Sequence, residues 1–323
     1  MQLSRIFMTT VAALACLGTS LPCTADTYPA KLITFVIPFS PGAAPDVFVR
    51  TIAREVGREG GVPAIVENRP GAGSVLAAQT VAKAPADGYT VLVTGNVAFT
   101  GNPHTMKKMG YDPVKDFTPI TTLSKGPMYL YINPQTLNVN TIAEFLDTVR
   151  KDPGKYTFGY TSITSRLPAE VLQQVAGIKL LGVPYKSGAA ATPDLISGQI
   201  DMLFTDLAPW AYVPSGKLRA IGVTDSARSS YAPSVPTFDE SGVKGMDITF
   251  WLAAYLPANA PPAVAATLHK LLAAAVKVPE LKPSYQASGT FEFIMPLGAL
   301  AEFQANESNV WGRTIRAAKI KPE

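Results

Sequence analysis

Residues 32–46 read Leu32-Ile33-Thr34-Phe35-Val36-Ile37-Pro38-Phe39-Ser40-Pro41-Gly42-Ala43-Ala44-Pro45-Asp46, and Phe48, Ile52 and Val56 follow at helical spacing. The run from Leu32 to Pro38 is apolar and ends in a proline, the pattern of a buried strand. The apolar positions after the loop put one face of a helix against that strand, and Pro45 suits the first helical position, where its missing N–H costs nothing. A helix start exposes unpaired backbone N–H groups and about half a positive charge, so a loop of small residues leading into it is a candidate anion cradle. An ordinary strand-to-helix turn reads the same way, and the rest of the chain has to decide between them.

The same alternation continues outward. Apolar strands are predicted near residues 32–39, 64–67, 91–94, 128–132, 180–184, 202–204 and 220–223, with a strand-like stretch at Tyr156 to Phe158. Helices are predicted from Pro45, Ser74, Thr141, Pro168, Ala189, Pro262 and Leu300; Thr141 with Glu144 forms a capping box, and Gly198 ends a helix. Strands alternating with helices mark an α/β protein. No internal repeat or long linker interrupts the pattern, and the 28 prolines imply many rigid turns.

The N-terminal 25 residues read as a signal peptide: Arg5, an apolar stretch from Ile6 to Leu17, then Pro22-Cys23-Thr24-Ala25 ahead of Asp26. Cleavage near Ala25 leaves 298 of 323 residues, ample for two domains, and lowers the net charge from +4 to +3 because Arg5 leaves with the leader. The expected location is the periplasm. Cys16 and Cys23 both lie in the leader, so the exported chain would hold no thiol. Scattered basic residues argue against a nucleic-acid partner.

The catalytic and cofactor motifs fail on inspection. Gly71-Ala72-Gly73 follows a strand, but Leu76 stands where a dinucleotide fingerprint needs Gly or Ala, and residues 91–96 supply no acid for a ribose. Neither a phosphate loop nor a nucleophile elbow occurs. His104 reads as a loop residue and His269 as a helix-surface residue, so no catalytic residue, cofactor or metal site is expected. Glu67, Asn68 and Arg69 read as charges capping a turn. A second cradle candidate is Tyr160-Thr161-Ser162-Ile163-Thr164-Ser165-Arg166, where hydroxyls and a guanidinium crowd a strand-to-helix junction; Arg166 could grip a carboxylate with two parallel bonds. Two cradles in separate halves suit a cleft between two lobes.

Taken in order, several motifs resemble the periplasmic substrate-binding proteins of tripartite tricarboxylate transporters, the Bug receptors. The likeness runs from Tyr28-Pro29-Ala30-Lys31 through Pro38-Phe39-Ser40-Pro41-Gly42, Glu67 to Gly73, Asp87-Gly88-Tyr89-Thr90, Tyr111-Asp112-Pro113, Val183-Pro184-Tyr185-Lys186 and Gly216 to Ala220, ending at Pro257-Ala258. The resemblance implies a type II periplasmic-binding-protein fold: two α/β lobes joined by two hinge strands, crossing near Leu123 to Lys125 and Trp251 to Ala253. Residues 26–124 and 252–323 would form a discontinuous first lobe and 125–251 the second.

The resemblance also implies a non-enzymatic receptor that holds a small carboxylate between the lobes. Its ligand-binding positions would be Phe39, Ser40, Gly42, Ala43, Ala44 and Asp46 in the first loop, then Ser74 and Asn96. In the second lobe they would be Thr161, Ser162, Thr164, Ser165 and Arg166, followed by Tyr185, Ala189 and Asp206. The implied partners are membrane permease subunits, with the receptor itself a monomer. A receptor for a membrane sensor uses the same closed lobes and is an open alternative; a hydrolase lacks any visible nucleophile and base. The chain departs from the family at Ala43, Pro45, Ser74 and Ala77, and Arg166 at the family's histidine position would add a permanent cation to the pocket.

Overall fold

The computed structural model describes residues 28–186 and 188–322. The signal peptide and both cysteines lie outside the described residues.

Among the described residues, eleven strands form two sheets. The first has β1 (Ile33–Ile37), β2 (Ala64–Asn68), β3 (Thr90–Gly95), β4 (Phe117–Pro127), β10 (Thr249–Pro257) and β11 (Phe291–Glu292), in the order β11-β4-β10-β3-β1-β2. The second has β5 (Tyr129–Ile132), β6 (Thr157–Tyr160), β7 (Leu181–Pro184), β8 (Met202–Thr205) and β9 (Arg219–Val223), in the order β7-β6-β8-β5-β9. Within each sheet three strands run parallel: β2, β1 and β3 in one, β7, β6 and β8 in the other. The antiparallel additions are β10, β4 and β11 in the first and β5 and β9 in the second.

Nine α-helices among the described residues cover the sheets: α1 (Ala44–Gly60), α2 (Val75–Ala82), α3 (Asn102–Thr105), α4 (Ile142–Lys151), α5 (Ile163–Ala176), α6 (Gly188–Ser197), α7 (Pro262–Ala275), α8 (Lys282–Ser288) and α9 (Ala299–Ala317). Strand alternation explains why both faces need covering. On β10, Leu252, Ala254 and Leu256 pack with α1 and α7 residues on one side, while Trp251, Ala253 and Tyr255 pack with α2 and Phe99 on the other. On β5, Leu130 and Ile132 join one core, and Tyr129 and Tyr131 the opposite one.

The predicted strands all occur within a few residues of their expected positions; β4 and β10 contain the stretches expected as hinge strands near Leu123–Lys125 and Trp251–Ala253, and β11 is an addition. Helix α5 begins at Ile163, five residues before the expected Pro168, because Ser162 and Ser165 cap it earlier. Pro168 sits inside the helix and forgoes the bond to the Thr164 carbonyl. At α4, Thr141 Oγ1 accepts the Glu144 N–H at 3.1 Å, and the Glu144 carboxylate reaches back to the Asn140 N–H at 2.7 Å.

The chain passes between sheets twice, at Met128 and after residue 224, and one side chain ties both passages. Buried Thr224 donates its N–H to Met128 O at 2.9 Å and accepts the Met128 N–H on Oγ1 at 2.9 Å. The same hydroxyl donates to Ile248 O at 2.5 Å, and Thr224 O accepts the Ile248 N–H at 3.0 Å. Thr224→Val keeps the shape but strips the hydroxyl from two buried backbone partners. It is expected to lower unfolding free energy by about 2–4 kcal/mol in urea titrations, and a change under about 0.5 kcal/mol, the usual surface-substitution range, would remove Thr224 from this role.

Candidate functional site

All six parallel strands end at one cavity. Pro38, Phe39 and Ser40 follow β1, Pro70 and Gly71 follow β2, and Gly95 and Asn96 close β3. From the other sheet, Thr161 follows β6, Lys186 follows β7, and Thr205 and Asp206 close β8. Open α/β sheets take ligands at the carboxyl ends of their strands; here two such edges face one another. Met128, just past β4, and Phe250, Trp251 and Leu252 of β10 supply apolar lining to this cavity of about 520 Å³.

Of the residues expected to bind a ligand, Phe39, Ser40, Ser74, Asn96, Thr161, Ser162, Thr164, Ser165 and Asp206 line this cavity. Gly42, Ala43 and Asp46 do not, and the reason is electrostatic. The Gly42 N–H donates to Asp46 Oδ2 at 2.8 Å, and the Ala43 N–H to Ser40 O at 3.1 Å. The helix start therefore holds its own anion. Burial acts to raise the Asp46 carboxyl, but bonds from Arg50, Asn68 and Gly42 together with the Arg50 charge hold it below the ordinary carboxylate range. Asn68 Nδ2 also donates to Phe39 O at 2.9 Å and to Asp46 Oδ1 at 2.7 Å. Asp46 and Asn68 thus position the loop that presents Phe39 and Ser40. Ala44 lines a separate recess of about 60 Å³ beside the main cavity.

Arg166 lies off the cavity lining. Its Nε donates to Glu170 Oε1 at 2.8 Å and its guanidinium stands 5.2 Å from the Tyr160 ring centre, so the helix surface takes up the charge. Tyr185 also stays outside the lining: its hydroxyl donates to Asp194 Oδ2 at 2.8 Å, and burial together with that carboxylate pushes the phenol up to about 12. Ala189 falls in the first turn of α6. The cation that does line the cavity is Lys186, exposed at its rim.

The two turns that meet across the cavity are both held tightly. At the start of α5, Ser165 Oγ accepts the N–H groups of Thr161 at 2.9 Å and Ser162 at 3.3 Å. Helix geometry leaves the following first-turn N–H groups without partners inside the helix. Opposite, Gly71, Ala72, Gly73 and Ser74 all have positive φ, at +116°, +46°, +59° and +76°. Buried Asn102 braces this turn by donating to Gly73 O at 2.7 Å. Ser74 is the position where the family resemblance expects glycine, and its left-handed backbone shows why glycine suits it. His104 packs in α3 against Ser308 at 2.9 Å, and His269 reaches Met295 O at 2.9 Å, so both histidines serve structure.

The profile described as "tripartite tricarboxylate transporter family receptor" matches residues 48–320. The chain belongs to this family. Family members are binding receptors, and the sequence and structural relatives agree. Protein BugT of Bordetella pertussis is 29% identical over 327 residues, which cover 99% of this chain and 100% of BugT. The solved structure of R. palustris Rpa4515 with adipate has a TM-score of 0.82 at 26% identity, covering 92% of this chain and 100% of that one. MatC from Rhodopseudomonas palustris with bound malate has a TM-score of 0.76 at 26% identity, covering 89% and 100%. The two-lobe α/β architecture of this family is the one found here.

Two variants test how this receptor shapes its turns. Asp46→Asn should cost about 1.5–3 kcal/mol, the worth of hydrogen bonds to a charged group. Because folding lowers the Asp46 pKa, that stability is present above the ordinary carboxylate value near pH 4 and is lost as pH falls through the folded value. The gap between wild type and variant in urea titrations should therefore close on acidification; a gap that widens would contradict it. Ser74→Gly should relieve backbone strain, raising stability by up to about 1 kcal/mol, while the lost hydroxyl weakens ligand binding. Thermal unfolding and calorimetry read the two effects separately.

Proposed function

We propose that this receptor captures a small organic anion in the cleft between its two sheets, in the periplasm, and presents it to the permease subunits of a tripartite tricarboxylate-type transporter. Residues 1–25 would direct export and be removed. The observation that carries the reading is the shared cavity at six strand ends, supplied with hydroxyls by Ser40, Ser74, Thr161, Ser162 and Thr164, and with one cation by Lys186. Hydroxyls, backbone N–H groups and an ammonium are the donors that a carboxylate needs. The adipate and malate held by structural relatives support a carboxylate ligand.

The chemistry follows from placement. Residues 26–124 with 252–323, and residues 125–251, act as two lobes whose hinge lies at the paired passages around Met128 and Phe250. In the open state water competes for every donor. Closure brings the Ser74 turn and the Thr161–Ser165 turn onto opposite sides of the ligand, and the drier cleft strengthens each bond. The ligand drives this motion only through its greater affinity for the closed form. The closed surface, formed by one receptor molecule, is then what the permease recognises. As with the other binding receptors of this family, the captured molecule leaves unchanged.

Calorimetry on purified protein freed of co-purifying ligand tests the proposal against di- and tricarboxylates and aromatic acids. At least one acid should bind with a dissociation constant of about 1 μM or tighter, corresponding to about −8 kcal/mol. Thr164→Trp fills the cavity from the start of α5 and should abolish that binding while the melting temperature stays within a few degrees. Absence of binding across the panel, or undiminished binding by a folded Thr164→Trp, would overturn the proposal.

A further inference from the structure

The cavity lining carries two charged side chains of opposite sign among the described residues, Lys186 and Asp206. The sheet fixes their spacing. Lys186 follows β7 and Asp206 follows β8, with β6 lying between those strands and parallel to both. Neighbouring strands lie about 4.8 Å apart, so the two residues leave the sheet edge roughly two strand spacings from each other. The Thr161–Ser165 turn follows β6 and therefore stands between them.

Asp206 is short of partners for a carboxylate at such a place. Its Oδ1 accepts the Ala208 N–H at 3.1 Å, and the Thr205 hydroxyl is a second donor. No described cation pairs with it. Burial holds its carboxyl above the ordinary range, and the two donors offset this only in part. Asp206 also forms the boundary between the main cavity and the small recess, where Ser124, Ser288 and Thr290 add hydroxyl oxygens. A recess of about 60 Å³ accommodates a group the size of an ammonium or a water or two. A second ionised acid placed there would meet Asp206 with like charge in a closed cleft. A group with N–H donors and positive charge would meet its complement.

We infer that the ligand of this cleft carries a protonated amine as well as a carboxylate, with the amine paired to Asp206 and the carboxylate held at the Thr161–Ser165 turn beside Lys186. This inference rests on the proposed reading of the cleft as an organic-anion site and narrows its ligand class. Asp206 then acts as the specificity-determining residue: it rewards an amine and penalises a second acid.

The test is calorimetry with ligand pairs that differ in an amine: glutamate against glutarate, 5-aminopentanoate against pentanoate, and 4-(aminomethyl)benzoate against 4-methylbenzoate. At least one amine-bearing member should bind about tenfold tighter than its partner. Asp206→Asn should erase that preference by weakening the amine-bearing member about tenfold or more. If the amine-free acids bind as well as or better than their partners, the inference is overturned while the anion-receptor reading stands. If no acid in any pair binds, the inference falls, and the anion-receptor reading falls with it when the di- and tricarboxylate panel is also silent. An amine preference that survives intact in a folded Asp206→Asn also overturns it. Should the variant fail to fold, the wild-type ratios alone decide.

Discussion

The structure depends on one geometric constraint: two three-stranded parallel arrays must be held with their carboxyl edges facing each other. Parallel strands supply no such arrangement by themselves. It comes from the long antiparallel pair β4 and β10, which adjoin Met128 and Ile248 at one end, and from Thr224, which bonds both passages through its hydroxyl and backbone. With those passages joined, every loop that follows a parallel strand is delivered to the same space. The cavity is thus a consequence of topology before it is a consequence of side chains.

Side chains then decide what that space can hold. The first helix start is satisfied internally by Asp46, which frees the loop from needing a ligand for its own stability and leaves Phe39 and Ser40 as the exposed edge. Across the cavity, Ser165 orders the Thr161 turn in the same way. Both turns are therefore preformed, and a preformed site costs less ordering on binding. Most of the donors are neutral hydroxyls, so the two charges, Lys186 and Asp206, carry most of the power to discriminate between ligands.

Much of this was legible in the sequence, and what was not has identifiable causes. The β1 strand and α1 follow directly from apolar spacing around Pro38 and Pro45, and seven strands read out near their true bounds. Strand β4 was harder because Thr121, Thr122 and Ser124 are polar residues buried in the first sheet, which breaks the apolar signal. Nine of the sixteen expected site residues line the cavity, whereas Asp46, Arg166 and Tyr185 are bonded to nearby partners instead. Periodicity reports which face a residue occupies, and it carries no information on which neighbour captures its charge. Asn68, Asn102 and Phe250 carry no such signal in the sequence for the complementary reason: lone polar or aromatic residues acquire a role only once distant strands converge on them.

A crystal structure of the protein with its tightest-binding organic acid tests the central claim most directly. The account predicts ligand density in the cavity with polar contacts to both sides at once, the Ser40 or Ser74 turn from one sheet and the Thr161–Ser165 turn from the other. Density on one sheet alone, or away from the ends of the six parallel strands, would contradict it.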